Sequence, residues 1–574
     1  MPKNMTSDQT PPVTKDVRPL FGMSERLGVA ILIAAVLLAY GNSLVNDFSM
    51  DDNLYILTNP MVTNFSLRGI FHASALTNVF RPLVFGAYAL NWFLGGGKAF
   101  AFHLFSVLLH GAVTVLLYFV LRRLLEPFPR AAEVAWVAAL LFAVHPIHTE
   151  AVASATNSSE LMAMGFLLLA WSLHMSDRPV LVLVCFALAM LAKESAVVFV
   201  PLVVIGDYVR GRWKSLWRYG SVGVVGLIYV AILRQAQGGK FGERSVSFLD
   251  NPLAHFPVGM RIANALRIAW RYVGLHVYPA TLSCDYSYNE IRLYSQLRHN
   301  LPAIIATALV LAAWGWALTS GRRTWFLAGA IYICGFSVTS NVLVATGTIM
   351  GERLAYLPSA GFCLIVALAW MQVEESKYRR AAWVALILVV AALGVRTAVR
   401  NRDWRNNFTL FVSGIKAAPD SAKMHTNVAF EYYFRGDLDT ANAQLTRALQ
   451  IYPDIPDAVG YKALIVSQRG NDEEAARLLK DALRNTLRDN PNYDFMSVNL
   501  AAVEMKLGHN DDALKLLEDD IGLWPRSSRA YSNRGVIFYD KSDFGRARMD
   551  AETALRLDPN NVQAVNLLRL LAHP

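Results

Sequence analysis

Two adjacent carboxylates, Asp51 and Asp52, stand in the segment NDFSMDDNLYILTNP, just beyond an apolar run. A carboxylate costs free energy to bury unless it is paired or used, and one so placed can act as general base toward a hydroxyl group. The plain alternative is a helix cap in a solvated turn. HPIHTEAVASATNSSE supplies His145, His148 and Glu150. These could ligate a metal, but an imidazole donor suits an anion such as phosphate better. In LAKESA, Lys193 and Glu194 are either a site pair or a mutual ion pair that fixes a hairpin. GTIMGERLAYLPSAGF brings Glu352, Arg353 and Tyr356, and FRPL brings Arg81. The planar fork of an arginine grips phosphate oxygens in pairs. SCDYSYNE adds Asp285 and Glu290 as candidate acceptor contacts. A candidate base and several candidate phosphate contacts thus recur in separate segments.

The elements that must position these residues are apolar. Of 574 residues, 54% are hydrophobic, and the mean hydropathy is +0.32. The excess lies before residue 400, in runs of about 17–22 residues, the length that crosses a hydrocarbon core of about 30 Å. Candidate spans are 27–45, 103–121, 133–152, 158–174, 179–193, 194–209, 217–234, 300–318, 324–344, 354–372 and 381–397, eleven in all. Residues 255–280 carry Arg261, Arg267, Arg271 and His276. They read as an amphipathic helix lying at the membrane interface. With eleven crossings, the clusters Arg122/Arg123, Arg178, Arg210/Arg212/Lys214, Arg322/Arg323 and Lys377/Arg379/Arg380 all fall on one side. Basic loops mark the cytoplasmic side, so every candidate above, and the tail, falls on the other.

The formal charge is +10 and the pI near 9.3, but the basic residues punctuate apolar runs. No basic patch interleaved with aromatics is present, and nucleic acid is not expected as a partner. The four cysteines, Cys185, Cys284, Cys334 and Cys363, show no CxxC spacing and indicate neither a disulfide framework nor a cysteine metal site. Residues 1–26 are polar, contain Pro11 and Pro12, and read as a disordered leader before an uncleaved first helix.

After residue 400 proline recurs at Pro419, Pro453, Pro491, Pro525 and Pro559, at intervals of 34, 38, 34 and 34. Gly436, Gly470, Gly508 and Ser542 mark a turn in each unit, and Ala441, Ala475, Ala513 and Ala547 follow at a fixed offset. A 34-residue helix–turn–helix period with small residues at the helix contacts is the tetratricopeptide (TPR) signature. A leading half-repeat occupies Asn407–Pro419. Such stacks bind extended peptides and do no chemistry themselves.

Taken together, DDNLYILTNP, FRPL, FHLFSVLLHGAVTVLLYFVLRRL, FAVHPIHTEAVA, LAKESA, GERLAYLPSAGFCL and RDWRNNFTLF ahead of the repeats resemble the transmembrane and TPR-containing O-mannosyltransferases and their bacterial relatives, of the GT-C class of membrane glycosyltransferases. The resemblance covers nearly the whole chain. It implies an all-α fold: a polytopic GT-C membrane bundle over 27–400, preceded by a cytoplasmic leader at 1–26 and followed by an extracytoplasmic TPR α-solenoid over 401–574. It implies a mannose donor carried on polyprenyl phosphate, Ser or Thr hydroxyls of exported proteins as acceptors, and inversion at the anomeric carbon. Asp51 becomes the first choice for base, with Asp52 orienting or replacing it. Arg81, His145, His148, Lys193, Glu194, Glu352, Arg353 and Tyr356 become candidate donor or phosphate contacts. A divalent metal is not favoured, and no cofactor other than the lipid-linked donor is expected. The short repeat array points to a bacterial inner-membrane enzyme with a periplasmic tail. A non-catalytic membrane scaffold, and a transferase with a lipid or glycan acceptor, remain as alternatives.

Overall fold

The computed structural model describes residues 21–572, apart from 65, 67–68, 72–78, 237–245, 487 and 489–490, and every regular element among them is helical. The membrane body is built from α1 (Glu25–Tyr40), α2 (Pro82–Gly95), α3 (Ala99–Leu124), α4 (Ala131–Val144), α5 (Ser158–Met175), α6 (Pro179–Ala192), α7 (Phe199–Arg210), α8 (Leu216–Ala236), α9 (Val258–Val277), α10 (Leu301–Thr319), α11 (Arg323–Ser337), α12 (Tyr356–Glu374) and α13 (Arg379–Asp403). The expected leader lies outside the described residues up to 20. From 21 onward it is anchored, which corrects the expectation of disorder to 26: the Phe21 ring sits 4.8 Å from Trp383 and 6.1 Å from Trp136, and Ser24 caps α1.

Six segments are long and apolar enough to span a membrane alone: Glu25–Val45, Ala99–Leu124, Leu216–Ala236, Leu301–Thr319, Glu352–Glu374 and Arg379–Asp403. Ala131–Val144 and Pro146–Ala153 make a seventh if their 54° bend is counted within one span. The count of eleven is not reached by this measure. The shortfall lies where polar residues interrupt apolar runs. Lys193 ends α6 after 14 residues, a 3-10 turn over Glu194–Val198 leaves α7 with 12, and α11 stops at Ser337 after 15.

The ion pairs of the bundle fall at two ends. At one end Arg122 meets Glu25, Arg130 reaches Glu374, and Lys214 and Arg218 share Asp177. At the other lie Asp51, Asp52, Glu150, Lys193 and Arg353. Helix α9 does not run between the ends. Its first turns reach the 341–349 loop through Arg261 and its last residues meet His145, both at the second end. Helix α11 packs closely against α12. A Cβ on Gly361 would lie 2.5 Å from the Tyr332 backbone nitrogen, so only glycine fits there.

Helix α13 leads directly into the tail: α14 (Asn407–Ala417), then the pairs α15/α16 (Ala422–Phe434, Leu438–Ile451), α17/α18 (Pro456–Gln468, Asp472–Asn485), α19/α20 (Pro491–Lys506, Asn510–Leu523) and α21/α22 (Ser528–Asp540, Phe544–Leu557), and last α23 (Val562–Ala572). Ser421, Asp437, Asn471, Ser527 and Asp543 cap helix N-termini by accepting from backbone N–H groups. The recurring turn residue is left-handed in all four pairs, with φ of 81° at Gly436, 85° at Gly470, 81° at Gly508 and 60° at Ser542. Ala441, Ala475, Ala513 and Ala547 are wholly buried where paired helices cross.

Candidate functional site at the mouth of the bundle

The loop after α1 is shaped by Asp52 and by the tail. Asp52 is wholly buried, and its two carboxylate oxygens accept from Ser49 N–H at 2.9 Å and Thr156 N–H at 3.0 Å. Burial pushes its pKa up to about 7, against the pull of these donors. This carboxylate is a staple between two loops, which corrects its expected part as a substitute base. Met50 holds φ at 54°, a costly region for a residue with a Cβ, and its N–H donates to Asn407 Oδ1 of α14 at 2.6 Å. Asp47 N–H donates to Arg405 O at 2.9 Å. Asp51 is thereby turned outward, only partly buried, and its carboxylate makes no hydrogen bond or ion pair among the described residues. Arg353 and Lys423 both lie within its electrostatic reach.

Around it stand three acid–base pairs. Arg353 pairs with Glu150 through both its guanidinium and its backbone N–H, the latter at 2.8 Å. Lys193 pairs with Glu160. Arg81 pairs with Glu194 through two bonds, Nη2 to Oε1 at 2.8 Å and Nε to Oε2 at 3.2 Å. The Glu160 charge also acts on Arg81 and on Arg353, so the pairs form one cluster of alternating sign. Arg81, Lys193, Glu194 and Arg353, drawn from distant segments, are thus brought together. Glu160 was missed: it sits 33 residues from Lys193 in sequence, and no local pattern marks it.

Other candidates are placed elsewhere. His145 is buried and uses both ring nitrogens, Nδ1 accepting from Ile147 N–H at 3.2 Å and Nε2 meeting His276 O at 3.0 Å. His148 meets Ser359 Oγ at 2.7 Å, and Tyr356 meets His110 Nδ1 at 2.7 Å, all inside the bundle. These three are buried and hold helices together. They do not converge with Glu150 on a metal position. Among the described residues only Glu504, His509 and Asp512, in the tail, bring three such groups within reach of one ion. Glu352 is wholly buried and accepts from Ser283 N–H at 2.6 Å and Tyr286 O–H at 2.7 Å. It shapes the long loop and does not face a donor.

Asp285 accepts from Ser287 Oγ–H at 2.5 Å and from Ser421 Oγ–H at 3.1 Å, joining that loop to the cap of α15. Glu290 accepts from Arg271 at 2.9 Å. Both candidates for acceptor binding are therefore engaged in holding the loop. The seam with the tail is completed by Ala422 N–H donating to Tyr288 O, Asn289 N–H donating to Asp420 O, and an apolar cluster of Ala153, Cys284, Trp404, Phe411 and Met424.

The family described as dolichyl-phosphate-mannose-protein mannosyltransferase matches residues 81–233, from Arg81 through the Lys193 hairpin, and the tetratricopeptide repeat family matches 431–491 and 498–562. The protein O-mannosyl-transferase TMTC3 of Mus musculus is 27% identical over 93% of this chain and 64% of its own length. In sequence the chain is similar to proteins described as protein O-mannosyl-transferases. F38B6.6 of Caenorhabditis elegans, of the same description, is 29% identical over 69% of this chain and 59% of its own length. The chain spans about three fifths of these relatives, at most 64%. Among solved structures, YrrB, described as a TPR protein with an unusual peptide-binding site, covers 35% of this chain and 98% of its own at 15% identity, with a TM-score of 0.23. The helical repeat assignment rests on the period, the turns and the family match.

Proposed function

We propose that this protein is a membrane glycosyltransferase that moves a sugar, mannose, from a polyprenyl-phosphate carrier to Ser or Thr hydroxyls of polypeptides on the extracytoplasmic side, in a bacterial inner membrane. The observation that carries the reading is that, among the described residues of the mouth, Asp51 keeps a carboxylate with no hydrogen bond or ion pair while its neighbours are paired or bonded. The names of the relatives and of the matching family support the sugar and the class of acceptor.

In the reaction the acceptor oxygen bonds to the anomeric carbon as the bond from that carbon to the carrier phosphate oxygen breaks, with inversion. The hydroxyl proton passes to Asp51. The carrier phosphate leaves with one more negative charge, and that charge must be met by fixed cations. Arg81, Lys193 and Arg353 would meet it, each held ready by a glutamate that keeps it ordered until the phosphate competes for it. The TPR tail, fixed against the Asp51 loop, presents the polypeptide.

The test uses purified full-length protein, labelled polyprenyl-phosphate mannose and a Ser/Thr-rich polypeptide. Label should appear on the polypeptide, and Asp51→Asn should lower the rate by about 10²–10⁴-fold with unchanged thermal stability. Wild-type turnover in Asp51→Asn would remove the base from this account. Failure of the wild-type protein to consume any donor would favour a scaffold, and label on lipid alone would redirect the acceptor.

A further inference from the structure

We propose that Lys423, on the first full helix of the repeat array, is a specificity-determining residue of the acceptor site that holds a main-chain carbonyl of the acceptor polypeptide beside Asp51. The proposal rests on the transferase reading above and adds to it a residue that the membrane body does not contain.

Lys423 Nζ donates to Asp250 Oδ1 at 2.8 Å, and the two side chains are 36% and 37% exposed, so the pair is open to a chain arriving from solution. Asp285 and Asp51 are the other carboxylates whose charge acts on this ammonium. A cation carried by the tail therefore stands among three acids from three separate loops of the body. Those acids are differently occupied. Asp285 is bonded to Ser287 and Ser421, Asp250 holds Lys423, and Asp51 is unengaged. Among the described residues Asp250 is the one hydrogen-bond partner of Lys423, and an ammonium has three N–H donors. Two donors remain to be directed at a ligand.

The backbone beneath Lys423 is fixed. Its neighbour Ala422 donates to Tyr288 O at 2.9 Å, and Ser421 caps α15 while bonding Asp285. Only the side chain can adapt, so the ammonium stays near Asp51 whatever the rest of the array does. A polypeptide whose hydroxyl approaches Asp51 carries a carbonyl in the same residue and in each neighbour. A lipid or a simple glycan carries no such row of carbonyls. A partly exposed lysine with two spare donors, within electrostatic reach of the base, therefore distinguishes these acceptors, and it does so from the domain that holds the polypeptide.

The experiment is transfer from labelled polyprenyl-phosphate mannose to a Ser-containing peptide by the full-length protein, varying each substrate in turn. Lys423→Met should raise the peptide KM about tenfold, as expected for losing a charge-assisted hydrogen bond, with kcat changed less than about twofold and the donor KM unmoved. Lys423→Arg should restore most of the peptide affinity. Asp250→Asn, which frees the ammonium, should lower the peptide KM. An unchanged peptide KM in Lys423→Met, a donor KM rising in step with it, or a rise in Asp250→Asn matching that of Lys423→Met would overturn the proposal, the last by showing that the pair only braces the seam. If wild-type protein transfers nothing, the transferase reading fails first and this proposal falls with it, an outcome read on the wild type alone.

Discussion

The mouth of the bundle and the repeat array are both helical, yet they place charge in opposite ways. At the mouth two of the paired acids, Glu150 and Glu160, are turned inward. Glu160 and Lys193 are 9% and 6% exposed, and Glu150 is 1% exposed beneath Arg353. In the array most pairs sit at the rim, as where Asp439 is 96% exposed beside Arg469 and Asp511 92% beside Lys541. A rim pair competes with water and salt and contributes little. A buried pair has lost its water and is costly to break on one side only. Stability in the array therefore comes from small residues and turns, whereas the mouth maintains a set of costly charges that pure folding would not require. That difference supports the proposed site at the mouth.

The comparison is tested most severely by Lys193→Met. Leaving Glu160 buried and alone should destabilise the body by about 3–5 kcal/mol, read as loss of thermal stability in detergent. Lys193→Met combined with Glu160→Met should recover most of it. If the single variant unfolds no earlier than wild type, the pair is solvated and the contrast fails. Asp52→Ala comes next. It leaves the Ser49 and Thr156 N–H groups without acceptors, at about 1–3 kcal/mol, and should slow transfer although Asp51 is untouched, because the turn that presents it loosens.

Among the buried acids of the array, Glu504 and Asp550 are paired and Asp520 sharpens the rule. Asp520 is wholly buried and faces Asp494, and its oxygens have no donor partner. Burial, then the facing carboxyl, pushes its pKa from the ordinary 3.8 up to about 8. The fold thus favours the protonated acid, and the unfolded chain releases that proton at lower pH. Stability of the array should fall as pH rises from about 4 to about 8 and level off above. Asp520→Asn should flatten this profile in thermal melts. A flat wild-type profile would show that the carboxyl is not held in its neutral form.

Smaller effects are expected at the turns and the rim. Ser542 occupies with a φ of 60° the place glycine takes in the three earlier repeats. Ser542→Gly should stabilise the array by about 0.5–1 kcal/mol, the relief of a left-handed residue with a Cβ offset by glycine's greater freedom when unfolded. Lys541→Ala, at an exposed pair, should change stability by less than about 1 kcal/mol. A larger loss there would put the array's charges in the same class as those of the mouth.

The array was legible in the sequence because its determinants are local and recur. Proline, the turn residue and the buried alanine return at a fixed distance, and each does the same work in each repeat. The mouth was legible only in part. The residues that meet there were named from their chemistry, but partners lie far apart in sequence, so Glu160, Asp250 and Lys423 carried no mark. His145, His148, Tyr356 and Glu352 are buried and bonded to neighbours, a placement the sequence does not mark because a histidine or glutamate that bonds a neighbour has the same letters as one awaiting a ligand. Asp51 and Asp52 show the limit most plainly: two identical neighbours, one bonded twice and buried, the other unengaged, a difference set by Thr156 and Asn407 from elsewhere in the chain. Hydropathy counted eleven spans because it measures apolar content and does not register how short some of those helices are, 14 residues in α6 and 12 in α7.

The bonds from Asp47 and Met50 onto Arg405 and Asn407 carry a practical corollary. The repeat tail cannot be treated as a detachable cassette. Cutting the chain at residue 400 would remove the brace of the loop that presents Asp51, so the shortened protein would be crippled even toward an acceptor that never touches the repeats. A graft that exchanges repeats between relatives would have to retain the native stretch through α14 and the cap of α15, and begin the foreign sequence only beyond it.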